Sequence, residues 1–381
     1  MNDRRLAHVP CAYVLLLAGA LLESLTAFGA MGALSEASSP RSRQVDVAVN
    51  RALAWLVTQQ EENGVFGPNE NAEPGVTSLC LLALLACGHD PMAKPYGTVI
   101  AKGVDFVLSC QKSNGLIVYL QPEDVHINHY PSHTAAYTHA ISGLLLSECY
   151  GMSLGMRTDT MRSVIEDALK YSRSKQVEWK PSEADKGGWR YYVPAGDANS
   201  DLSLTSWQLM FLRSAKSAGF EVPAIWIDDG LAYVKRCFDA GVPNTFRYVS
   251  HGPYFLFESR AMAGAGIMSL SLGGTHRTEM AGRAGRWLLE RPFDVYKGTC
   301  PNFTSFHYGA FYCSQAMFQL GEPYWGRFYP VMADTLLANQ SEDGQWPADK
   351  GGEKSFGGTF RTAMAVLALS PPYQVLPIFQ R

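Results

Sequence analysis

Two kinds of apolar segment alternate along the chain beyond residue 45. The first kind has one apolar stripe at helical spacing, as in residues 328–340, where Met332, Leu336 and Leu337 recur and Asp343-Gly344 can end the helix. The second kind is apolar on nearly all sides and rich in small residues, as in residues 258–272. A helix with one apolar stripe faces water, whereas a helix that is apolar all round is buried. The alternation predicts an all-α fold made of outer and inner helices.

Six such pairs follow one another, each with the outer helix first. The predicted pairs cover residues 45–60 and 76–87, 99–111 and 132–150, 161–176 and 202–218, 225–238 and 258–272, 277–289 and 308–320, and 328–340 and 358–369. Six pairs close naturally into a double ring, an α6/α6 toroid. The long connections that enter the inner helices carry most of the aromatic, histidine and acidic residues, so we expect the function at that end of the ring.

The first forty residues differ from the rest. Arg4 and Arg5 precede an apolar run over residues 11–22, and small residues follow. This layout predicts a secretory signal peptide, with an uncleaved N-terminal anchor as the alternative. We therefore assign residues 1–40 to a signal peptide and linker and residues 45–381 to the toroid. The folded part is expected to be exported to the periplasm or the extracellular space, where membrane association is an option.

Charge and cysteine content exclude several partners. The 381-residue chain has a net charge of -3 and no run of Lys or Arg, so nucleic acid is not an expected partner. The cysteines lie within apolar runs and form no CxxC pair, which favours buried thiols over a disulfide framework or a metal site. No cofactor and no oligomeric state are predicted.

A short motif closes three of the outer helices. Gln60, Gln111 and Gln340 end their helices, and each is followed by a glycine and a large apolar residue: Gly64 and Phe66, Gly115 and Ile117, Gly344 and Trp346. A glutamine there can bond backbone groups left open at the helix end, and the large side chain can cover it. The motif is expected to be structural.

This Gln-to-Trp repeat resembles the QW motif of squalene and oxidosqualene cyclases and, more loosely, the repeat of protein prenyltransferase β-subunits. Residues 340–346 match its Gln-to-Trp half in full, whereas copies three, four and five look degraded. The Gly-Gly-Trp-Arg-Tyr turn at residues 187–191 and the Trp-Gln-Leu-Met run at 207–210 resemble bacterial squalene-cyclase-like repeat proteins. The resemblance implies the toroid and an enclosed isoprenoid or other apolar ligand.

The catalytic groups of those families are missing. Cyclases of this kind use a central acid in an Asp-x-Asp-Asp motif, and the nearest match is Asp197 with Asp201, which could share a proton. Asp201 also fits a helix N-cap. Prenyltransferases bind zinc through Asp, Cys and His, but Gly309 stands where the histidine is expected and His307 is two residues away. No metal is therefore predicted.

Three further polar residues are candidates. His129 and His133 have a spacing that suits a metal on a helix, but Tyr130-Pro131 predicts a loop there, so His133 is assigned to the pocket. His139 is expected to point inward and, with Asp197, Asp201 and Glu258, is a catalytic candidate. Glu258 enters an apolar helix beside Arg260, which is its expected partner.

The predicted pocket consists of aromatic and histidine residues at the mouth of the ring: His133, Trp189, Tyr191, Trp207, Tyr254, Phe257, His307, Tyr308, Tyr312 and Phe360. They either line a cavity for an isoprenoid-like ligand or fill the ring. The leading hypothesis is an exported protein that encloses an apolar ligand and, if it is an enzyme, a terpenoid-cyclase-like isomerase or lyase. The alternatives are a non-catalytic scaffold or binding module, and a secreted polysaccharide lyase or glycosidase.

Overall fold

A computed structural model describes residues 40–67, 73–122, 129–152, 157–194, 197–241, 243–252, 258–296, 306–348 and 356–380. The chain divides into two compact units, residues 1–48 and 49–381. Of the first unit only residues 40–48, which begin the first helix, are described. The expected signal peptide lies outside the described residues.

Twelve α-helices lie in the described ranges. They are α1 (Pro40–Thr58), α2 (Glu73–Ala86), α3 (Gly97–Ser109), α4 (His129–Tyr150), α5 (Arg157–Val177), α6 (Leu202–Ser217), α7 (Ala224–Arg236), α8 (Arg260–Leu272), α9 (Glu279–Leu289), α10 (Phe306–Leu320), α11 (Tyr324–Ala338) and α12 (Gly357–Leu369). The described residues contain no β-strand, only isolated bridges.

The even-numbered helices form a closed inner ring within the second unit. Each packs against the next, α2 on α4 through to α10 on α12, and α12 packs back against α2. Five outer helices each pack against the inner helix that precedes them in the chain: α3, α5, α7, α9 and α11. The predicted all-α toroid is thereby confirmed.

The turns after α1 and α5 dock onto the next outer helix. Gly64 has a φ of +95°, and a Cβ there would lie 2.4 Å from the carbonyl oxygen of Lys102 on α3. Gly187 has a φ of +83°, and a Cβ there would lie 2.1 Å from the carbonyl oxygen of Asp229 on α7. Only glycine allows both this backbone conformation and this close approach.

Copy three keeps the contacts of the motif although its sequence looks degraded. Gln60 donates to the carbonyl of Gly64, four residues on, whereas Gln176 makes the same bond to Gly187, eleven residues on. Trp189 Nε1 donates to the carbonyl of Ser172 at 2.8 Å, as Trp346 Nε1 does to Leu336 at 2.9 Å. The longer turn hid this copy from the sequence pattern.

Two smaller expectations can be compared with the structure. Helix α4 begins at His129, so the loop predicted at Tyr130-Pro131 is wrong; a proline is tolerated there because the first turn of a helix needs no amide donors. Of the six described cysteines, all but Cys87 are buried, as expected. No helix in the described ranges combines the length and apolar character that a membrane crossing requires.

Candidate functional site

The candidate site lies where the inner helices begin, and Asp201 is its central charged residue. Asp201 has an extended backbone and caps α6, because its Oδ1 accepts a hydrogen bond from the Leu204 amide at 2.7 Å. The side chain is completely buried. The sequence indicated this capping role through the Asp-x-Ser-x-Thr run.

A buried ion pair holds the same carboxylate. Arg190 Nη1 lies 2.7 Å from Asp201 Oδ2, and the Arg190 side chain is itself only 7% exposed. Burial raises the pKa of the Asp201 carboxyl, while the attraction of Arg190 and the Leu204 amide oppose that shift. Burial opposes the charge of Arg190, but Asp201 and nearby tyrosines hold the pKa of the guanidinium above its ordinary value. The Arg190–Asp201 pair forms a buried polar surface at the base of the mouth, which we call the polar floor.

Two tyrosines, Tyr191 and Tyr248, contact the Arg190 side of this polar floor. Arg190 Nη1 donates to the hydroxyl of Tyr248 at 2.8 Å, and the hydroxyls of Tyr248 and Tyr191 are 2.6 Å apart. The guanidinium carbon lies 4.1 Å from the centre of the Tyr191 ring, which is a cation–π geometry. Tyr191 also meets the ring of His133, with centroids 4.0 Å apart. The predicted pocket residues His133 and Tyr191 are therefore neighbours.

A second polar cluster surrounds Ser203 on α6. Tyr137 donates to Ser203 Oγ at 3.0 Å, and the hydroxyl of Tyr308 lies 2.5 Å from the same oxygen. Trp207 Nε1 donates to the Tyr308 hydroxyl at 3.0 Å. Burial raises the pKa of Tyr308 to about 12, so its hydroxyl stays protonated at physiological pH. Helices α4, α6 and α10 meet through this network.

Below this cluster, aromatic side chains pack the described part of the ring axis. Trp207 stacks on Phe311 with centroids 5.3 Å apart, and Tyr312 meets the Trp207 ring edge at 5.6 Å. All three are essentially inaccessible to solvent. By contrast, five residues above them are only partly buried: His133, Tyr137, Tyr191, Tyr248 and Tyr308. We call these five residues the mouth cluster.

Sequence reasoning did not select Tyr137 or Tyr248. Tyr248 lies in the connection between α7 and α8, where no spacing pattern marks it. The available signal was chemical: the buried charges of Arg190 and Asp201 require polar partners, and hydroxyls from nearby connections can supply them.

Asp197 and Asp201, the two aspartates that could share a proton, lie in different surroundings. Asp197 is exposed to solvent, whereas Asp201 is completely buried and bonded to Arg190 and the Leu204 amide. The surroundings of the two carboxyls differ because the first precedes the helix and the second is its cap. The geometry therefore gives no support to a proton shared between them.

His139 does not point into the ring, contrary to expectation. Its Nδ1 accepts from the Ile117 amide at 3.2 Å, and its Nε2 lies 2.9 Å from Ser172 Oγ on the outer helix α5. Burial lowers the pKa of the imidazole to about 3, so the ring is neutral. Since Nδ1 accepts, Nε2 carries the hydrogen. His139 thus joins the inner ring to the outer ring.

Glu258 and Arg260 do not pair with each other. Arg247 Nη1 lies 3.5 Å from Glu258 Oε2, and the glutamate side chain is 39% exposed. Arg260 donates to the Pro292 carbonyl at 2.7 Å and lies over the ring of Phe293. Ser259 between them caps α8, which turns the two side chains toward different connections.

The remaining predicted residues are spread out. Trp189 is buried in the outer-helix motif, away from solvent. His307 is buried, with Nε2 2.9 Å from the hydroxyl of Tyr296. Phe360 contacts Phe356 with centroids 5.1 Å apart. Tyr254 and Phe257 lie outside the described residues.

The described residues form no metal site. Within those ranges, no group of three or more His, Cys, Asp or Glu side chains is placed to hold an ion. The chemistry of the mouth cluster is instead that of phenol and imidazole rings, whose faces contact apolar groups and whose edges form hydrogen bonds.

No protein-family model and no curated protein matches the chain. Solved structures do match its fold. A variant of the type II terpene cyclase MstE from Scytonema, in complex with geranylgeranyl dihydroxybenzoate as substrate, superposes with a TM-score of 0.56 and 14% sequence identity, covering 88% of this chain and 99% of that one. A glycosidase variant in complex with glucose gives a TM-score of 0.56 and 11% identity over 88% and 98% of the two chains. A protein from Actinoplanes gives 0.52 and 17% over 85% and 98%. These similarities concern the fold alone.

Proposed function

We propose that the protein binds an isoprenoid-like amphiphile at the mouth of the ring. The observation that carries this proposal is the mouth cluster itself: four tyrosines and a histidine, partly open to solvent, above an apolar aromatic centre. Rings of this kind contact an apolar chain through their faces and leave their hydroxyls for a polar head group.

The polar side of the mouth favours a ligand with hydrogen-bonding groups at one end. Arg190 is neutralised by Asp201, so this floor offers dipoles and hydroxyls without an uncompensated charge. The hydroxyls of Tyr191 and Tyr248 hydrogen-bond each other, and Arg190 donates to the Tyr248 hydroxyl. A prenylated aromatic compound of the kind bound by MstE combines a chain with such a head group, and we extend that ligand class to this chain.

The proposal is for binding, without acid-initiated cyclisation by Asp201. A general acid must reach the atom that it protonates. Asp201 is fully buried, and its two oxygens are bonded to Arg190 and the Leu204 amide. Its proton therefore has no direct path to a ligand above Tyr191.

A carbohydrate is the second candidate ligand. Tyrosine faces and hydroxyls also suit sugars, and a glycosidase shares the fold. Hydrolysis by the usual mechanism needs two carboxyl groups flanking the bond. Asp201 is paired with Arg190, and Glu258 is bonded to Arg247. The fold and the mouth cluster therefore support a carbohydrate ligand, but no pair of acids supports hydrolysis.

Export belongs to the proposal as well. Arg4, Arg5 and the apolar run after them support a secreted protein, and a lipid-derived ligand fits a protein that meets membranes from outside the cytoplasm. Fractionation of cells that express the full chain, followed by N-terminal sequencing of the exported form, tests both export and cleavage.

Native mass spectrometry with an added farnesyl-substituted phenol tests the binding proposal. We expect a one-to-one complex that is weakened at least tenfold by Tyr308→Phe, which removes the hydroxyl shared by Ser203 and Trp207. The matched control is Tyr324→Phe, because Tyr324 bonds the Gly282 carbonyl between outer helices. Equal binding by both variants, or binding of glucose oligomers in place of the phenol, would overturn the proposal. Retention of only a protein partner would favour the scaffold alternative.

A further inference from the structure

The C-terminal segment, residues 371–380, closes the end of the ring opposite the mouth. Its first 3₁₀ turn, Pro371–Tyr373, contacts α10 and α12, and its second, Pro377–Phe379, contacts α6. Leu376, Ile378 and Phe379 are buried there. This end is remote from the mouth because inner helices begin at the mouth and rise about 1.5 Å per residue.

The segment is anchored to the inner ring by few polar bonds. Gln319 Nε2 on α10 donates to the carbonyls of Phe379 and Gln380 at 3.1 and 3.2 Å. The Phe379 ring meets Phe311 with centroids 6.0 Å apart, and Phe311 stacks on Trp207. An aromatic column therefore runs from the segment to the Tyr308 hydroxyl in the mouth cluster.

A buried carboxyl lies between the segment and two inner helices. Glu148 is in the last turn of α4 and is 6% exposed. Ser214 on α6 donates to its Oε1 at 2.5 Å, and the Ile378 amide of the segment also bonds the carboxyl. Its Oε2 has no hydrogen-bond partner among the described residues. The carboxyl also faces the negative ends of two helix dipoles, which disfavours a second negative charge.

Within the described part of the chain, none of the groups that interact with Glu148 is a cation. The groups that face it are Cys149 on its own helix, Ser214 on α6 and the uncharged amide of Ile378. Of these only Cys149 titrates, and burial raises the pKa of that thiol. Burial likewise raises the pKa of Glu148 from 4.5 to about 7, while Ser214 and Ile378 oppose the shift without cancelling it.

We infer that residues 371–380 form a pH-sensitive plug, docked while Glu148 is protonated and released when it ionises. Undocking admits water to the carboxylate, which removes the cost of a buried unpaired charge. Release also withdraws Phe379 from Phe311 and opens the base of the aromatic column. This inference concerns the end of the ring opposite the proposed ligand site and holds whether or not that site binds an amphiphile.

The sign of the effect follows from linkage. The docked form holds the Glu148 proton more tightly than the undocked form, in which the carboxyl returns to an ordinary pKa. Docking is therefore strongest below pH 4.5 and weakens up to about tenfold per pH unit until pH 7, above which it changes no further.

Hydrogen exchange of the full chain, read by mass spectrometry at pH 5 and pH 8 and corrected for intrinsic exchange rates, tests the plug. We expect peptides covering residues 371–380 to open at least tenfold more often at pH 8, on the order of the linkage above. Glu148→Gln should open equally at both pH values. Glu166→Gln, on the exposed face of α5, should behave as the wild type.

A second variant keeps the inference testable if Glu148→Gln fails to fold. Ser214→Ala removes the hydrogen bond that lowers the carboxyl pKa, so the midpoint of the opening transition should move to higher pH. A wild-type opening rate that does not change with pH, a Glu148→Gln variant that keeps the wild-type response, or an unshifted Ser214→Ala midpoint would each overturn the inference.

Discussion

The amide of Ile117 donates to Nδ1 of His139 at 3.2 Å, and this bond has a counterpart in three other repeats. The corresponding amides donate to threonine hydroxyls: Phe66 to Thr77, Trp189 to Thr205, and Trp346 to Thr362. His139 therefore occupies the threonine position of its repeat. Its ring, larger than a threonine, also reaches Ser172 on α5.

This equivalence predicts the behaviour of two substitutions at one position. His139→Thr keeps an acceptor for the Ile117 amide, whereas His139→Ala leaves that buried donor unsatisfied, which costs about 1–3 kcal/mol more. Urea unfolding at pH 7 measures the difference. Equal losses for the two variants would remove the acceptor role from His139.

The same histidine predicts a pH dependence of stability. Its folded pKa of about 3 is lower than the ordinary 6.5, so its contribution is complete above pH 6.5 and is lost as the pH falls toward 3. The loss approaches about 1.4 kcal/mol per pH unit. We expect the stability advantage of wild type over His139→Thr to shrink between pH 6.5 and pH 5 in urea titrations. An advantage that stays constant over this interval would show that the ring is not neutral in the folded chain.

Helix pairing and ring closure follow from the hydrophobic pattern, because one-sided and all-round apolar helices differ in composition. The turn of copy three could not be predicted from the sequence, because its glycine, Gly187, lies eleven residues after Gln176, whereas the motif places the glycine four residues after the glutamine. The direction of His139 could not be read either. Because an inner helix is apolar on nearly every side, its hydrophobic pattern does not show whether a given residue faces the ring axis or the outer helix.

Charged and polar partners were similarly hidden because no spacing rule joins them. Arg247 and Glu258 lie eleven residues apart in the same connection between α7 and α8, and Tyr248 reaches Arg190 across 58 residues. The cap at Asp201 was readable because capping is local, involving the amide three residues on. Local geometry was thus predictable, whereas the mouth cluster needed the fold.

Gly187 and Gly219 form a matched pair for the docking of the turn in copy three. Both have a positive φ, +83° and +92°, but only Gly187 has a neighbouring carbonyl where a Cβ would lie. We expect Gly219→Ala to cost about 1–2 kcal/mol from backbone strain alone. Gly187→Ala adds a clash with Asp229 and should cost roughly twice as much or more in chemical unfolding. Equal costs would mean that the turn does not dock as described.

The ion pair of Arg190 with Asp201 predicts a large loss from one-sided removal. Arg190→Met leaves a buried carboxylate without its cation, at a cost of about 3–5 kcal/mol. Adding Asp201→Asn should restore part of that stability, because an asparagine still caps α6. Arg157→Met, at an ion pair with Asp105 that is about 37% and 50% exposed, should cost less than about 1 kcal/mol. Thermal and urea unfolding of the three variants beside the wild type gives the comparison, and similar losses at both pairs would refute a buried pair at the mouth.

Photo-crosslinking of the full chain with a diazirine-bearing farnesyl phenol tests ligand binding at the mouth most directly. We predict that the labelled peptides contain Tyr137, Tyr191 or Tyr308, that unlabelled ligand competes, and that Tyr308→Phe reduces labelling while Tyr324→Phe does not. Labelling confined to exposed apolar residues on the exterior, such as Trp179 at 82% exposure, would contradict the account. The mouth cluster would then be a structural closure of the ring.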